Sequence, residues 1–275
     1  VRLARSAEVP GHGFIIERAG EGRVVAAGTP LGFISGLLNL AAAMKDGRRP
    51  ESVAEPRFKS RLYKHEVGLT PGARRHTYVG ELDEAFWKEY AKTLARNHFT
   101  GLVFYPGYHP FEYFLDYREF PEAPSVKAAQ RARTLAGLKR AFGAARSLGL
   151  STFMQHYVTH FTPGLVKKHK LPIEYVEADG NRLAAFSHPV VDRYSQYVYR
   201  RTFELLPELS GFYLNFESSS NSSAFIKRCL FPEMRKAKRP VELVYRLWDF
   251  NALPEMVELV KHTPGKLRLA HKVMD

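Results

Sequence analysis

GFYLNF, Gly211–Phe216, is a short and mostly apolar run that leads directly into the carboxylate of Glu217. Similar strand-like runs alternate with stretches of helical periodicity along the chain, at 101–105, 151–157, 241–247 and 267–270. Strands that alternate with amphipathic helices indicate a parallel sheet built from βαβ units. The sequence therefore predicts an α/β protein, with a small N-terminal α/β domain followed by a partial TIM-type (β/α)8 barrel of about five strands.

The chain divides into three predicted regions. Residues 1–50 form a small N-terminal α/β domain, with a hairpin over 12–27 and a buried helix over 31–44. Residues 51–98 are a connector and a helix that lead into the barrel, and residues 99–275 are the partial (β/α) barrel catalytic domain. Because a closed barrel needs eight strands, we expect the chain to be part of a longer protein.

Composition is that of a globular protein. The chain has 275 residues, 45% hydrophobic and 13% aromatic, which allows one large core and a small accessory domain. No apolar run reaches the length of a membrane span, so we expect no membrane partner. The net charge of +13 comes without a nucleic-acid-binding motif. We therefore expect no nucleic-acid partner, but an attraction for acidic polysaccharides.

Cys229 is the one cysteine of the sequence, which excludes a disulfide or a cysteine-based metal site within the chain. His156 and His160 are four residues apart, but on a strand and its exit loop, where this spacing does not create a metal pair. We expect neither a metal nor another cofactor. No signal-peptide pattern is visible in the sequence. Because we expect the chain to be part of a longer protein, cytoplasmic, periplasmic and secreted locations all stay open, as does the oligomeric state.

Polar and aromatic side chains gather at the C-terminal ends of the predicted strands, where (β/α) barrels assemble their active sites. Glu217, Arg246 and Lys272 place a carboxylate and two cations there, which indicates an enzyme for an anionic substrate. The further candidates for substrate binding are Tyr108, His109, His156, His160 and Trp248. The further candidate carboxylates for catalysis are Asp249 and Asp275.

Hydrolysis of a glycosidic bond commonly uses two carboxyl groups. Glu217 is the candidate acid, because desolvation beside an apolar strand raises a carboxyl pKa and suits proton donation. Its alternative role is to cap the next helix or to pair with an arginine. Asp249 is a second candidate acid or base, or a helix cap. Arg246 can bind a substrate carboxylate through its planar fork, or pair with Glu242 or Asp249 of the protein.

Three stretches of the sequence resemble a known family: VVDRYSQYVYRRTFELLPELSGFYLNFESSSN (190–221), VELVYRLWDF (241–250) and LRLAHKVMD (267–275). They are similar to a helix–strand unit and the two following strands of glycoside hydrolase family 67, the α-glucuronidases. The resemblance implies hydrolysis that releases a terminal uronic acid from a polysaccharide-derived oligosaccharide. It also implies that Glu217 is the general acid, that Arg246 binds the uronate carboxylate, and that Lys272 binds the substrate. Asp275 would be the base.

Two other functions stay open. Hexosaminidase-like glycosidases also join a small α/β domain to a barrel, but they use an adjacent Asp-Glu pair at one strand end. This chain has Phe216 and Glu217 at that place, which counts against them. A catalytically inactive carbohydrate-binding protein would bind sugar on the same barrel without turnover. The expected partner is an oligosaccharide in every case, and an anionic one under the leading hypothesis.

Overall fold

A computed structural model of the chain describes residues 1–53, 58, 60–69, 71, 77–107, 109–158, 160–177, 180–183, 188–216, 222–247 and 253–271. The strands, in chain order, are β1 (Arg2–Arg5), β2 (Phe14–Ala19), β3 (Gly22–Ala27), β4 (Leu62–Glu66), β5 (Gly101–Tyr105), β6 (Ser151–Tyr157), β7 (His160–Phe161), β8 (Ile173–Glu177), β9 (Gly180–Leu183), β10 (Gly211–Phe216), β11 (Glu242–Leu247) and β12 (Lys266–His271). The α-helices are α1 (Pro30–Lys45), α2 (Glu84–Arg96), α3 (Ala128–Ser147), α4 (Pro163–His169), α5 (Pro189–Leu205), α6 (Ser222–Lys236) and α7 (Leu253–His262).

The N-terminal strands form a three-stranded sheet in the order β1-β3-β2. β2 and β3 pair in antiparallel fashion around Gly20, whose φ of +60° is readily adopted by glycine, and this confirms the predicted hairpin. α1 follows, as predicted. It begins after Thr29, whose hydroxyl accepts a hydrogen bond from the Gly32 N–H at 3.2 Å. A cap of this kind, with Pro30 in the first turn, satisfies backbone donors at the helix start.

Six strands form the main sheet, in the order β12-β11-β10-β6-β5-β4. β6, β10, β11 and β12 pair in parallel, with Gly211 opposite both Phe153 and Glu242. This sheet and its helices confirm the predicted α/β class and partial barrel. All five predicted strands are present, and β4 is a sixth. The sequence of β4, LYKHE, lies in the predicted connector because charged residues interrupt it and leave no apolar run.

Helix α5 covers one face of this sheet. The ring of Phe212 in β10 lies 5.5 Å from the ring of Tyr199 and 5.4 Å from that of Phe203, both in α5. Leu214 shares this face with Phe212, because alternate residues of a strand point the same way, and both are fully buried. Burying one such side chain contributes about 1.5–3 kcal/mol. The helix-facing side of β10 is therefore the apolar side.

Between β6 and α5 the chain forms a small sheet in the order β7-β9-β8, with antiparallel pairs. α4 lies within this segment and begins after Thr162, whose hydroxyl accepts a hydrogen bond from the Leu165 N–H at 3.4 Å. A Cβ on Gly164 would overlap the carbonyl oxygen of Glu122. Only glycine therefore allows the start of α4 to approach the Glu122 backbone this closely.

The chain folds as two compact units. The first comprises Val1–His65, Asp83–Val103 and Arg140–Thr152, and the second comprises Glu66–Leu82, Phe104–Lys139 and Phe153–Asp275. In the part of the chain that the structure describes, no helix combines the length and the apolar character needed to cross a membrane. The site described next lies within the second unit.

Candidate active site

The strand register separates the polar from the apolar side chains of the sheet. Tyr157, Asn215 and Arg246 are in register across β6, β10 and β11. Gln155 and Tyr213 form the next row toward the N-terminal ends of their strands. Because in-register residues of parallel strands point to the same side, these five side chains share one face, which we call the polar face. It lies opposite the face that carries Phe212.

The polar face lies near the C-terminal ends of its strands. Tyr157 is the last residue of β6, and Asn215 and Arg246 are each one residue from the ends of β10 and β11. Tyr105, which ends β5, adds a second aromatic ring, 6.4 Å from that of Tyr157. In (β/α) barrels this edge of the sheet carries the catalytic and binding groups. The structure thus forms a polar and aromatic surface where such a site is expected.

Two amide side chains on the polar face are buried without hydrogen-bond partners. Gln155 is 0% exposed and Asn215 is 4% exposed. Neither the oxygen nor the nitrogen of either amide has a partner among the described residues. Because most buried polar groups in proteins are hydrogen-bonded, and an unpaired one costs about 1–3 kcal/mol, these amides leave unused binding capacity at the site.

Arg246 brings a positive charge to the polar face. Burial raises the pKa of the Tyr213 hydroxyl, and the nearby charge of Arg246 offsets part of this rise. Tyr213 therefore remains a neutral hydroxyl that can donate or accept a hydrogen bond. A cation beside uncharged hydrogen-bonding groups suits a ligand that carries one negative charge and several hydroxyls.

Glu242, one of the alternative partners of Arg246, is bound elsewhere. Arg268 donates from Nη2 and Nε to Glu242 Oε2, at 2.8 and 3.1 Å, and Lys266 Nζ lies 3.6 Å from Oε1. Glu242 begins β11, whereas Arg246 lies four residues further along it. At about 3.3 Å per residue, their Cα atoms are about 13 Å apart. Glu242 is thus the partner of Arg268 rather than of Arg246.

His156 does not join the polar face, although its place near a strand end predicted a role in substrate binding. Its ring packs against Phe111, Tyr199 and Phe212, with centroid distances of 5.0, 5.7 and 5.3 Å. It is 2% exposed, and burial lowers the pKa of its imidazole to about 3. The reason is strand alternation: Tyr157 points to the polar face, so His156 points to the helices.

His109 is held in a buried chain of hydrogen bonds. Its Nε2 lies 2.8 Å from the Tyr194 hydroxyl, which lies 3.1 Å from the Tyr117 hydroxyl. Burial, followed by the proximity of His156 and His160, lowers the pKa of His109 to about 3. The imidazole is therefore neutral near pH 7 and is engaged by Tyr194. Its role in substrate binding stays a prediction.

His160 lies at the start of β7 and is 1% exposed. Its ring centroid is 5.5 Å from that of Tyr157, which places it beside the polar face rather than on it. Six other predicted site residues lie outside the described residues, and their roles stay predictions: Tyr108, Glu217, Trp248, Asp249, Lys272 and Asp275. Among the residues that the structure does describe, no group of three or more His, Cys, Asp or Glu side chains could hold a metal ion.

Gln155, Tyr213 and Asn215 are site residues that the sequence analysis missed. A signal for them exists in the sequence, because Gln155 and Asn215 are polar residues inside otherwise apolar strands. They precede the last residue of their strand by one to three positions, whereas most of the predicted site residues follow a strand end.

Comparisons of this chain with known proteins show which fold it shares. No protein-family profile and no curated protein matches the chain. Among solved structures, a family 138 glycoside hydrolase targeting pectin rhamnogalacturonan II superposes with a TM-score of 0.74 at 15% identity, over 98% of this chain and 41% of that one. The family 20 β-N-acetylhexosaminidase of Streptomyces coelicolor superposes with a TM-score of 0.62 at 16% identity, over 98% of this chain and 62% of that one.

This chain has the fold of part of a glycoside-hydrolase barrel. The β-N-acetylhexosaminidase of Bacteroides fragilis gives the same result, with a TM-score of 0.62 at 12% identity, over 96% of this chain and 62% of that one. The chain thus spans less than two thirds of the length of each of these three neighbours. At these identities the likeness is one of fold, and the resemblance to family 67 stays a prediction.

Proposed function

We propose that the chain is part of a glycoside hydrolase that releases a terminal uronic acid from a polysaccharide-derived oligosaccharide. The observation that carries this proposal is the polar face, where Arg246 lies in register with Asn215 and Tyr157 at the C-terminal ends of the strands. This is the edge at which barrel enzymes bind their substrates. The fold shared with glycoside hydrolases supports a sugar as the ligand.

Arg246 supplies the preference for a uronic acid. Its guanidinium can donate two parallel hydrogen bonds to one carboxylate, a geometry that a neutral hexose cannot use. The family 138 neighbour targets pectin rhamnogalacturonan II. Lys272 is proposed as a second cation for the same carboxylate, on the resemblance to family 67.

Glu217 is the proposed general acid. It directly follows β10 in the sequence, as expected of a catalytic carboxylate near a strand end. In the proposed reaction the protonated carboxyl gives its proton to the glycosidic oxygen as the bond from that oxygen to the anomeric carbon breaks. Asp275, or alternatively Asp249, takes a proton from the water that attacks this carbon.

A hexosaminidase-like activity is the second candidate, because several structural neighbours are β-N-acetylhexosaminidases. Such an enzyme would act on an N-acetylated sugar, which has no carboxylate for Arg246 to bind. The position before Glu217 is Phe216 rather than the aspartate of the adjacent pair. The uronic acid therefore remains the preferred substrate. A barrel that binds sugar without turnover is the third candidate.

The test uses the purified full-length protein with three oligosaccharide substrates, capped by galacturonic or glucuronic acid, by the matching neutral hexose, or by N-acetylglucosamine. We expect release of the uronic acid, and Glu217→Gln should abolish it. Arg246→Met should lower kcat/KM for the uronate substrate by at least about 10- to 150-fold, the value of one of its two hydrogen bonds to the carboxylate. Turnover of the N-acetylated substrate alone, or an equal effect of Arg246→Met on charged and neutral substrates, would contradict the proposal.

A further inference from the structure

The polar face contains two buried amides without a hydrogen-bond partner, those of Gln155 and Asn215. We infer that Gln155 and Asn215 together form a subsite that binds hydroxyl groups of a pyranose ring, beside the arginine that binds its carboxylate. This inference rests on the proposed function, because it assigns the sugar ring to the same site. It adds the residues that would distinguish one hydroxyl arrangement from another.

The register brings the two amides close together. Gln155 in β6 is opposite Tyr213, and Asn215, two residues further along β10, is opposite Tyr157. With strands about 4.8 Å apart and a rise of about 3.3 Å per residue, their Cα atoms are about 8 Å apart. Side chains of this length on one face can both reach a single sugar ring. Arg246, in register with Asn215, lies on the next strand.

Burial makes the lack of partners informative. Two buried hydroxyl groups of this unit do have partners: that of Thr202 donates to the Val198 carbonyl at 2.7 Å, and that of Thr134 donates to the Leu69 carbonyl at 3.2 Å. Gln155 and Asn215 are the two amides of the described chain whose oxygen and nitrogen are all buried and unpartnered. Two donor groups and two acceptor oxygens thus remain to be satisfied on one face.

A hydroxyl group can form hydrogen bonds with both the oxygen and the nitrogen of an amide. A hydroxyl donates to the amide oxygen and accepts from the amide nitrogen, whereas a carboxylate or phosphate can only accept. An apolar ligand would leave all four atoms unsatisfied. The rings of Tyr105 and Tyr157 on the same side offer an apolar surface for the ring carbons of a sugar. A polyol that also carries a carboxylate therefore uses every group of the polar face.

Ordered water is the competing occupant, because buried water commonly satisfies polar groups of this kind. The experiment compares wild-type full-length protein with Gln155→Met and Asn215→Leu, which retain approximate shape and remove hydrogen bonding. Gln196→Met is the matched control, since Gln196 lies in α5 away from the polar face. Calorimetry measures the Kd of D-galacturonate, D-glucuronate and N-acetylglucosamine, and urea titration measures the unfolding midpoint.

We expect each polar-face variant to weaken uronate binding about three- to tenfold, and the control to leave it unchanged. The unfolding midpoint should stay the same or rise, because each variant removes a buried group that lacks a partner. Unchanged Kd values together with a lower midpoint would overturn the inference in favour of structural water. If a variant fails to fold, monodeoxy uronates with the wild-type protein replace it, and equal affinity for every deoxy analogue would overturn the inference.

The outcome separates this inference from the proposed function. Uronate binding that the variants weaken, in a protein that hydrolyses none of the three substrates, would support the subsite and contradict the hydrolase. Hydrolysis of the uronate substrate that Gln155→Met and Asn215→Leu leave unchanged would support the hydrolase and overturn the subsite.

Discussion

Lowering the pH from 7 to 5 is expected to destabilise the protein through two buried histidines, His109 and His156. Burial lowers the pKa of each to about 3, against an ordinary value of 6.5. Between these two values the unfolded chain binds protons that the folded chain does not. Their stabilising effect is therefore fully present above pH 6.5 and is lost progressively as the pH falls toward 3.

The size of the effect follows from proton linkage. For a group with a pKa of 6.5 in the unfolded chain and about 3 in the folded one, the free energy of unfolding falls by about 2 kcal/mol between pH 7 and pH 5. The two histidines together give about 4 kcal/mol. Because whole domains are stable by about 5–15 kcal/mol, this loss is a large fraction of the total.

Urea unfolding at pH 5, 5.5, 6, 6.5 and 7 measures the effect in the wild type and in His156→Gln. Removing one buried imidazole should reduce the dependence of the unfolding free energy on pH by about 1.2 kcal/mol per pH unit near pH 5.5, whatever the variant's absolute stability. The matched control is His262→Gln, which removes an imidazole that is exposed and pairs with Glu258 at 2.8 Å.

An unchanged pH dependence in His156→Gln would refute the reasoning. It would mean that the imidazole takes up its proton equally in the folded and unfolded chains, and that it is not enclosed by Phe111, Tyr199 and Phe212. An equal reduction in His262→Gln would also refute it, because the effect would then not depend on burial.

Three further predictions concern the fold. Gly211→Ala should lower the unfolding free energy by about 1–3 kcal/mol or more in urea titration, since the new Cβ would overlap the Glu242 carbonyl oxygen; unchanged stability would show that β10 and β11 separate freely. Thr29→Ala should cost about 1 kcal/mol by removing the cap of α1, whereas Thr29→Ser should cost much less. Burial raises the pKa of the Cys229 thiol, so iodoacetamide at pH 8 should modify it slowly in the folded protein and rapidly in urea; equal rates would contradict its burial.

Hydrophobic periodicity was enough to predict most of the secondary structure. β6 and β10 have the predicted limits, because each is an apolar run bounded by turn residues. α1 was predicted within a residue of its ends, because its buried residues recur at helical spacing. β4 was not predicted. It lies at the edge of the sheet and contains only half-buried and exposed residues, so its identity as a strand depends on its neighbour.

The sequence by itself determined the fold class and the edge of the sheet at which a site belongs, because strand and helix periods are local properties of the chain. Only the tertiary structure decided which side chains share a face. A shift of one residue moves a strand's side chains to the opposite face, and this separates His156 among the helix-facing rings from Tyr157 on the polar face. The same holds for the unpartnered amides of Gln155 and Asn215, because hydrogen-bond satisfaction depends on every neighbour in space.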